Sequence, residues 1–179
     1  GYWFNGGGES SATVHVNEDG TVVVATGSPD IGGSRASTAL MAAETLGIPY
    51  DHVRPIIADT NSVGYTQATG ASRVTYATGK AVINACNKVI AEMCARAAKI
   101  WKIDAADVIW EEGCARPAGK RLGEFEPLSF KEIASKRTAT GGPISAAAAL
   151  NADGQAPGFS AQFCDVEVDP ETGHVKILR

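Results

Sequence analysis

Two short runs carry the residue types that hold an anion: "DIGGS" (Asp30–Ser34) and "TGAS" (Thr69–Ser72). Each follows a strand-like stretch and opens a helix-like one. Glycine lets a ligand approach the main chain, and the small neighbours leave room. The first-turn N–H groups of a helix have no intrahelical partner, and the aligned peptide dipoles place about half an elementary positive charge there. Such an end accommodates a phosphate or another anion. Two of them, from neighbouring strand–loop–helix units, can converge on one anionic ligand. The candidates are Gly32, Gly33 and Ser34 in the first run and Gly70, Ala71 and Ser72 in the second. The same residues are also ordinary helix caps, so binding and capping are both open readings of these residues. Arg35 and Arg73 each fall one residue after a helix start. They would either grip a phosphate bidentately or lie on the solvated face, and for either alone the solvated face is the simpler reading.

Other chemistries find less support. The first run lacks the lysine of a phosphate-loop ATPase and the third glycine of a dinucleotide fold. Cys86, Cys94, Cys114 and Cys164 include no C-x-x-C pair, which does not suit zinc, and read as buried free thiols. His15, His52 and His174 are isolated in or beside strand-like stretches and read as structural. No Ser/His/Asp order or H-E-x-x-H motif is present, so no catalytic residue and no metal ligand is assigned. The 179 residues suit one domain, 44% hydrophobic and 20% charged, and a net charge of −4 argues against nucleic-acid or acidic-membrane binding. No apolar run approaches the roughly 20 residues of a membrane span, and no signal peptide is visible. The chain begins "GYWFNGGG" and stops within a strand-like stretch. It reads as a piece excised from a longer polypeptide, 1–179 forming a single domain.

The elements that must position the two runs follow from periodicity. "SSATVHVNEDGTVVVATGS" alternates about a turn at Asn17–Gly20, a β-hairpin. Ser34–Leu46 is a helix with Ala36, Ala39, Leu40, Ala43 and Leu46 at helical spacing, stopped by Gly47 and Pro49. "HVRPIIAD" is a buried central strand. A long helix runs from about Ser72 to Ile100, with Val82, Cys86, Val89, Ile90, Met93, Ala97 and Ile100 as its apolar stripe. Gly79 inside it indicates close packing or a nearby ligand. "DVIWEEGCARP" is a hairpin turning at Glu112–Gly113. "LSFKEIASKR" is a short helix with the Ser129/Glu132 capping box. "TGGPISAAAALNADGQAPG" has no clear period and reads as an irregular excursion. The terminal "FSAQFCDVEVDPETGHVKILR" is a hairpin turning at Pro170–Gly173. The expected class is α+β (mixed α/β), β-hairpins and a mixed sheet packed against two main helices.

With these elements in order, the run "GTVVVATGSPDIGGSRASTALMAAETLGIPYDHVRPIIADTNSVGYTQATGASRVTYATGKAV" (Gly20–Val82) resembles the molybdenum-binding large subunit of the xanthine dehydrogenase and aldehyde oxidase family. That family's pattern is a hairpin, "(E/D)-(M/I)-G-Q-G", a helix, "LGIP", and "T-(A/G)-(A/G/S)-S" opening the next helix. The terminal "CDVEVDPETGHVKILR" matches its following strand pair. The joint order of motifs is specific; no single one is. The resemblance implies a molybdenum-cofactor-binding-domain-like fold and a molybdenum–molybdopterin cofactor, in many bacteria extended as the cytosine dinucleotide. Gly32, Gly33 and Ser34 would lie near the metal and pterin. Gly70, Ala71 and Ser72 would contact the pterin or its phosphate, with Val74 where relatives place another hydroxyl.

It further implies a parent enzyme that hydroxylates an aldehyde or N-heteroaromatic substrate with water-derived oxygen. FAD and 2Fe-2S centres would sit on partner chains or domains. The partners would be the rest of the large subunit, iron–sulfur and FAD subunits and a small-molecule substrate, in the cytoplasm or periplasm. Two departures stand out. Gly33 replaces the family's glutamine, and the family's general-base glutamate, in a "G-E-P/S-P" motif, has no counterpart here. The isolated chain is therefore expected to be inactive. A non-catalytic phosphate- or nucleotide-binding module and a structural module are the readings from other classes.

Overall fold

The computed structural model describes residues 1–179. A two-residue strand β1 (Tyr2–Trp3) precedes β2 (Gly8–Val16) and β3 (Val22–Thr26), the predicted hairpin. Val14 pairs with Val24 and Val16 with Val22, all four buried on one face. Helix α1 spans Ser34–Leu46 and ends at Gly47, whose φ of 72° and N–H bond to the Ala43 carbonyl close the last turn. Its buried stripe is Thr38, Ala39, Ala42, Ala43 and Leu46. Leu40 and Ala36, expected on that stripe, are exposed.

Strand β4 (Val53–Ile57) runs parallel to β3, from Val22 opposite Val53 to Thr26 opposite Ile57. It is not the central buried strand expected from its apolar run. It forms one edge of the sheet, where Pro55, lacking an N–H, is tolerated. Helix α2 (Gly79–Trp101) is preceded by a π-wound turn, Val74–Thr78. Helical winding does not begin at Ser72 as predicted, because Ala71 and Ser72 have φ of 50° and 52°. Val82, Cys86, Val89, Met93 and Ala97 form the buried stripe of α2. At Gly79 a Cβ would lie 2.5 Å from Met41 Sδ, so this glycine serves the close packing of α2 on α1.

Strands β5 (Val108–Glu111), β6 (Cys114–Pro117) and β7 (Leu128–Ser129) form a small antiparallel sheet. Helix α3 (Phe130–Ser135) carries the predicted capping box, and α4 (Arg137–Thr140) follows. The segment expected to be irregular contains instead a nine-residue strand, β8 (Ile144–Ala152). It pairs antiparallel with all of β2, Gly8 opposite Ala152 through Val16 opposite Ile144. Alanine is depleted in strands and its repetition hides the period of two; β2 imposes the conformation. Strand β9 (Gly158–Phe159) pairs with β1, and β10 (Val166–Val168) with β11 (Val175–Ile177), the predicted terminal hairpin, whose residues are all exposed. The main sheet has the order β4-β3-β2-β8. Its inward valines pack with the α1 and α2 stripes in one core. No helix is long and apolar enough to cross a membrane.

The end of α1 meets the β5–β6 turn through two glycines. A Cβ on Gly113 would lie 2.1 Å from the Gly47 carbonyl oxygen, and Gly113 has φ of 72°. Gly113→Ala is expected to cost about 2–3 kcal/mol, from left-handed strain plus backbone overlap. Gly123→Ala, with φ of 77° but no atom within 4 Å, should cost only the strain, about 1 kcal/mol. Thermal denaturation followed by circular dichroism checks the difference.

The thiols are free, but only Cys86 is buried; Cys94 and Cys114 are half-buried and Cys164 is exposed. Burial pushes the Cys86 thiol from 9.0 up to about 12. Between those values the unfolded chain releases a proton that the folded chain keeps. Stability therefore falls as pH rises from 9 towards about 12. Denaturant midpoints across that window should decline less in Cys86→Val than in the wild type.

Candidate cofactor-binding site

The parallel pairing of β3 with β4 decides where the two glycine runs lie. Each helix follows the C-terminal end of one of two adjacent parallel strands, the end at which open α/β sheets bind ligands. The loops after these strands touch. The Ala58 N–H donates to the Thr26 carbonyl at 3.0 Å. A Cβ on Gly27 would lie 2.8 Å from the Gly64 carbonyl oxygen. An open pocket of about 240 Å³ is lined there by Gly27, Thr60, Gly64, Tyr65 and Thr66. The buried Thr66 hydroxyl oxygen has no hydrogen-bond partner.

In the first run, Gly32 and Gly33 have φ of 66° and 80°, and Gly33 is the N-cap of α1 with no side-chain capping bond. No atom lies within 4 Å of a Cβ built on either. The N–H groups of Gly32, Gly33, Ser34 and Ala36 have no partner in the chain. The Arg35 N–H is taken: it donates to Asp30 Oδ1 at 2.9 Å, while Asp30 Oδ2 lies 3.7 Å from Arg35 Nε. A carboxylate thus already occupies part of this helix terminus, and Arg35 faces solvent beside it. Asp30 is a capping residue displaced upstream by two glycines, which the usual N-cap spacing does not reveal. Ser34 is buried and its hydroxyl donates to the Pro29 carbonyl at 3.2 Å. The Ser34 hydroxyl is thus engaged within the chain, and its main-chain N–H is the group left without a partner.

In the second run, Gly70, Ala71 and Ser72 are exposed and their N–H groups have no partner in the chain. A Cβ on Gly70 would meet nothing within 4 Å. Positive φ at Ala71 and Ser72 costs about 1–2 kcal/mol per residue. Such strain persists only where the surroundings over-determine it, and it gathers at ligand clamps. Here Ala71 O accepts from the Gly6 N–H at 2.8 Å and Gly70 O from the Arg73 N–H at 3.2 Å.

Arg73 meets neither expectation made for it. It is 3% exposed. Nε donates to Gly7 O at 2.8 Å, Nη1 to Gln67 O at 2.9 Å, and Nη2 to Glu9 O at 2.6 Å and Ser10 Oγ at 2.7 Å. Burial lowers its pKa, but a guanidinium stays protonated at neutral pH. It is a buried cation held by carbonyls, with no carboxylate in an ion pair. Val74 is buried too.

Beyond Arg73 three buried hydroxyls follow one another. Ser10 Oγ lies 3.2 Å from Thr78 Oγ1, which lies 2.9 Å from Ser28 Oγ. Sequence reading missed this chain because its members come from three elements. One signal pointed to it: Ser10 continues the inward face of Ala12, Val14 and Val16.

Across residues 1–179 the chain matches the molybdopterin cofactor-binding domain family. It is 37% identical to a xanthine dehydrogenase of Emericella nidulans over 45% of this chain and 6% of that protein. It is 29% identical to the xanthine dehydrogenase molybdenum-binding subunit of Escherichia coli O157:H7 over 95% of this chain and 23% of the relative. The crystal structure of the Cu,Mo-CO dehydrogenase in its carbon monoxide reduced state superimposes with a TM-score of 0.87 at 24% identity, over 99% of this chain and 24% of that one. The chain therefore spans less than a quarter of each of these proteins.

Proposed function

The chain belongs to the molybdopterin cofactor-binding domain family, and on that premise we propose that its 32–34 and 70–72 loops cradle the pterin and phosphate of a molybdopterin. The observation that carries this reading is the 70–72 loop. Three consecutive N–H groups of exposed residues lack partners there, with Ala71 and Ser72 at positive φ and Gly70 leaving the approach open. The orphaned Thr66 hydroxyl, in the pocket beside Gly27, adds a polar group in want of a partner.

The two loops divide the work by charge. Asp30 already neutralises part of the α1 terminus, so the phosphate is assigned to the Gly70, Ala71 and Ser72 amides. The Gly32, Gly33 and Ser34 amides take uncharged polar atoms of the cofactor. Gly33, where the resemblance expects glutamine, contributes only main chain. Molybdenum held on the pterin dithiolene supplies, when bound, oxidation of a substrate carbon with oxygen drawn from water. This chain's residues bind and orient, and the general base lies elsewhere in the parent subunit. The chain alone is inactive, and it is one domain of that subunit.

The parent would hydroxylate an aldehyde or N-heteroaromatic compound, passing electrons to 2Fe-2S and FAD centres on partner chains or domains. A cytosine dinucleotide extension would run outward from the phosphate. Elemental analysis and pterin fluorescence of the complete protein, purified with its partners, test the reading. About one molybdenum and one pterin per polypeptide are expected; a protein with neither would refute it.

A further inference from the structure

The planar fork of Arg73 is matched by acceptors from two separate stretches: Gly7, Glu9 and Ser10 in one, and Gln67 in the other. The guanidinium only donates, so Ser10 Oγ accepts from it; the Ser10 hydroxyl shares a hydrogen bond with Thr78 Oγ1, and Thr78 shares a second with Ser28 Oγ. Ser28 precedes Pro29, whose carbonyl receives the Ser34 hydroxyl. A continuous path thus runs from the 67–72 loop to the first residue of α1. The π-wound turn makes it possible. Residues five apart are about 140° apart around an α-helix, whereas the wider turn brings Arg73 and Thr78 to the same Ser10 hydroxyl.

We propose that Arg73 is a positioning residue for both loops: it holds the 67–72 loop against β2 and, through Ser10, Thr78 and Ser28, sets the 28–34 loop. The consequence for the cofactor rests on the cradle reading; the mechanical coupling does not. Lysine keeps the charge but not the fork. Valine at 78 keeps the shape but breaks the path midway, without touching either loop's outward amides.

Hydrogen-exchange mass spectrometry of the full chain without cofactor tests the coupling. Arg73→Lys should speed exchange in the 67–73 peptide by roughly threefold to tenfold and also raise it in the 28–36 peptide, with the β2–β3 turn unchanged. Thr78→Val should loosen 28–36 while 67–73 stays close to the wild type. Ser28→Ala should do the same, and these two variants decide the matter if Arg73→Lys does not fold. Loosening confined to 67–73 in Arg73→Lys, or an unaffected 28–36 peptide in Thr78→Val, would overturn the proposal. Pterin content of the complete protein separates the two claims. If exchange is coupled but the wild type holds no pterin, the cradle reading fails and the positioning role stands. If both hold, Thr78→Val should lose several-fold in pterin occupancy.

Discussion

Arg73→Met lowers the stability of the fold by about 3–5 kcal/mol, the largest effect expected of any single polar substitution here. The side chain is almost wholly buried and satisfies three carbonyls and one hydroxyl. A bond from a charged donor contributes about 1.5–3 kcal/mol. Removing the cation also removes the cost of burying it without a counter-ion, so the net loss falls well below the sum of four such bonds. Arg179→Met is the comparison: its ion pair with Asp165 joins side chains that are 89% and 62% exposed, and its loss should stay within about 0.5 kcal/mol. Urea denaturation of both variants checks the contrast; a loss under about 1 kcal/mol for Arg73→Met would mean that desolvation cancels the contacts.

Gly70→Leu produces the largest functional effect with little structural change. Gly70 has no positive φ, and no atom lies within 4 Å of its Cβ position. The fold should tolerate the side chain within about 0.5 kcal/mol. Leucine would, however, fill the approach to the 70–72 amides, and displacing several charge-assisted bonds to a phosphate costs about 3 kcal/mol or more, over a hundredfold in affinity. The complete Gly70→Leu protein should therefore melt with the wild type yet carry little pterin. Gly33→Leu is a less clean probe. Its φ of 80° adds local strain, mixing folding with binding.

Local signals carried much of this far. The β2–β3 hairpin, α1 with its glycine stop and the Ser129 capping box are written in short-range pattern, and each forms where its pattern lies. Both glycine runs were legible for the same reason: small residues before a helix announce exposed amides. What was illegible is long-range. Strand β8 takes its conformation from β2, and its alanines conceal the alternation. Nothing in "TGAS" reveals two consecutive residues at positive φ. The bonds that hold them come from Gly6 and from Arg73, which reaches back to Gly7. The arginine that looked like a surface or phosphate-gripping group is instead buried, because acceptors from β2 surround it. Asp30 and the Ser10–Thr78–Ser28 hydroxyls escaped a motif search because only the folded chain brings them together.

The central claim is that the amides of two loops meet one cofactor, and those amides have no partners within the chain. Amide hydrogen exchange of the complete protein, compared with and without its cofactor, reads them directly. Slowed exchange confined chiefly to the 32–36 and 70–73 segments, with the β5–β6 hairpin unchanged, is the predicted result. Cofactor-dependent protection that leaves both segments exchanging as freely as before would contradict it.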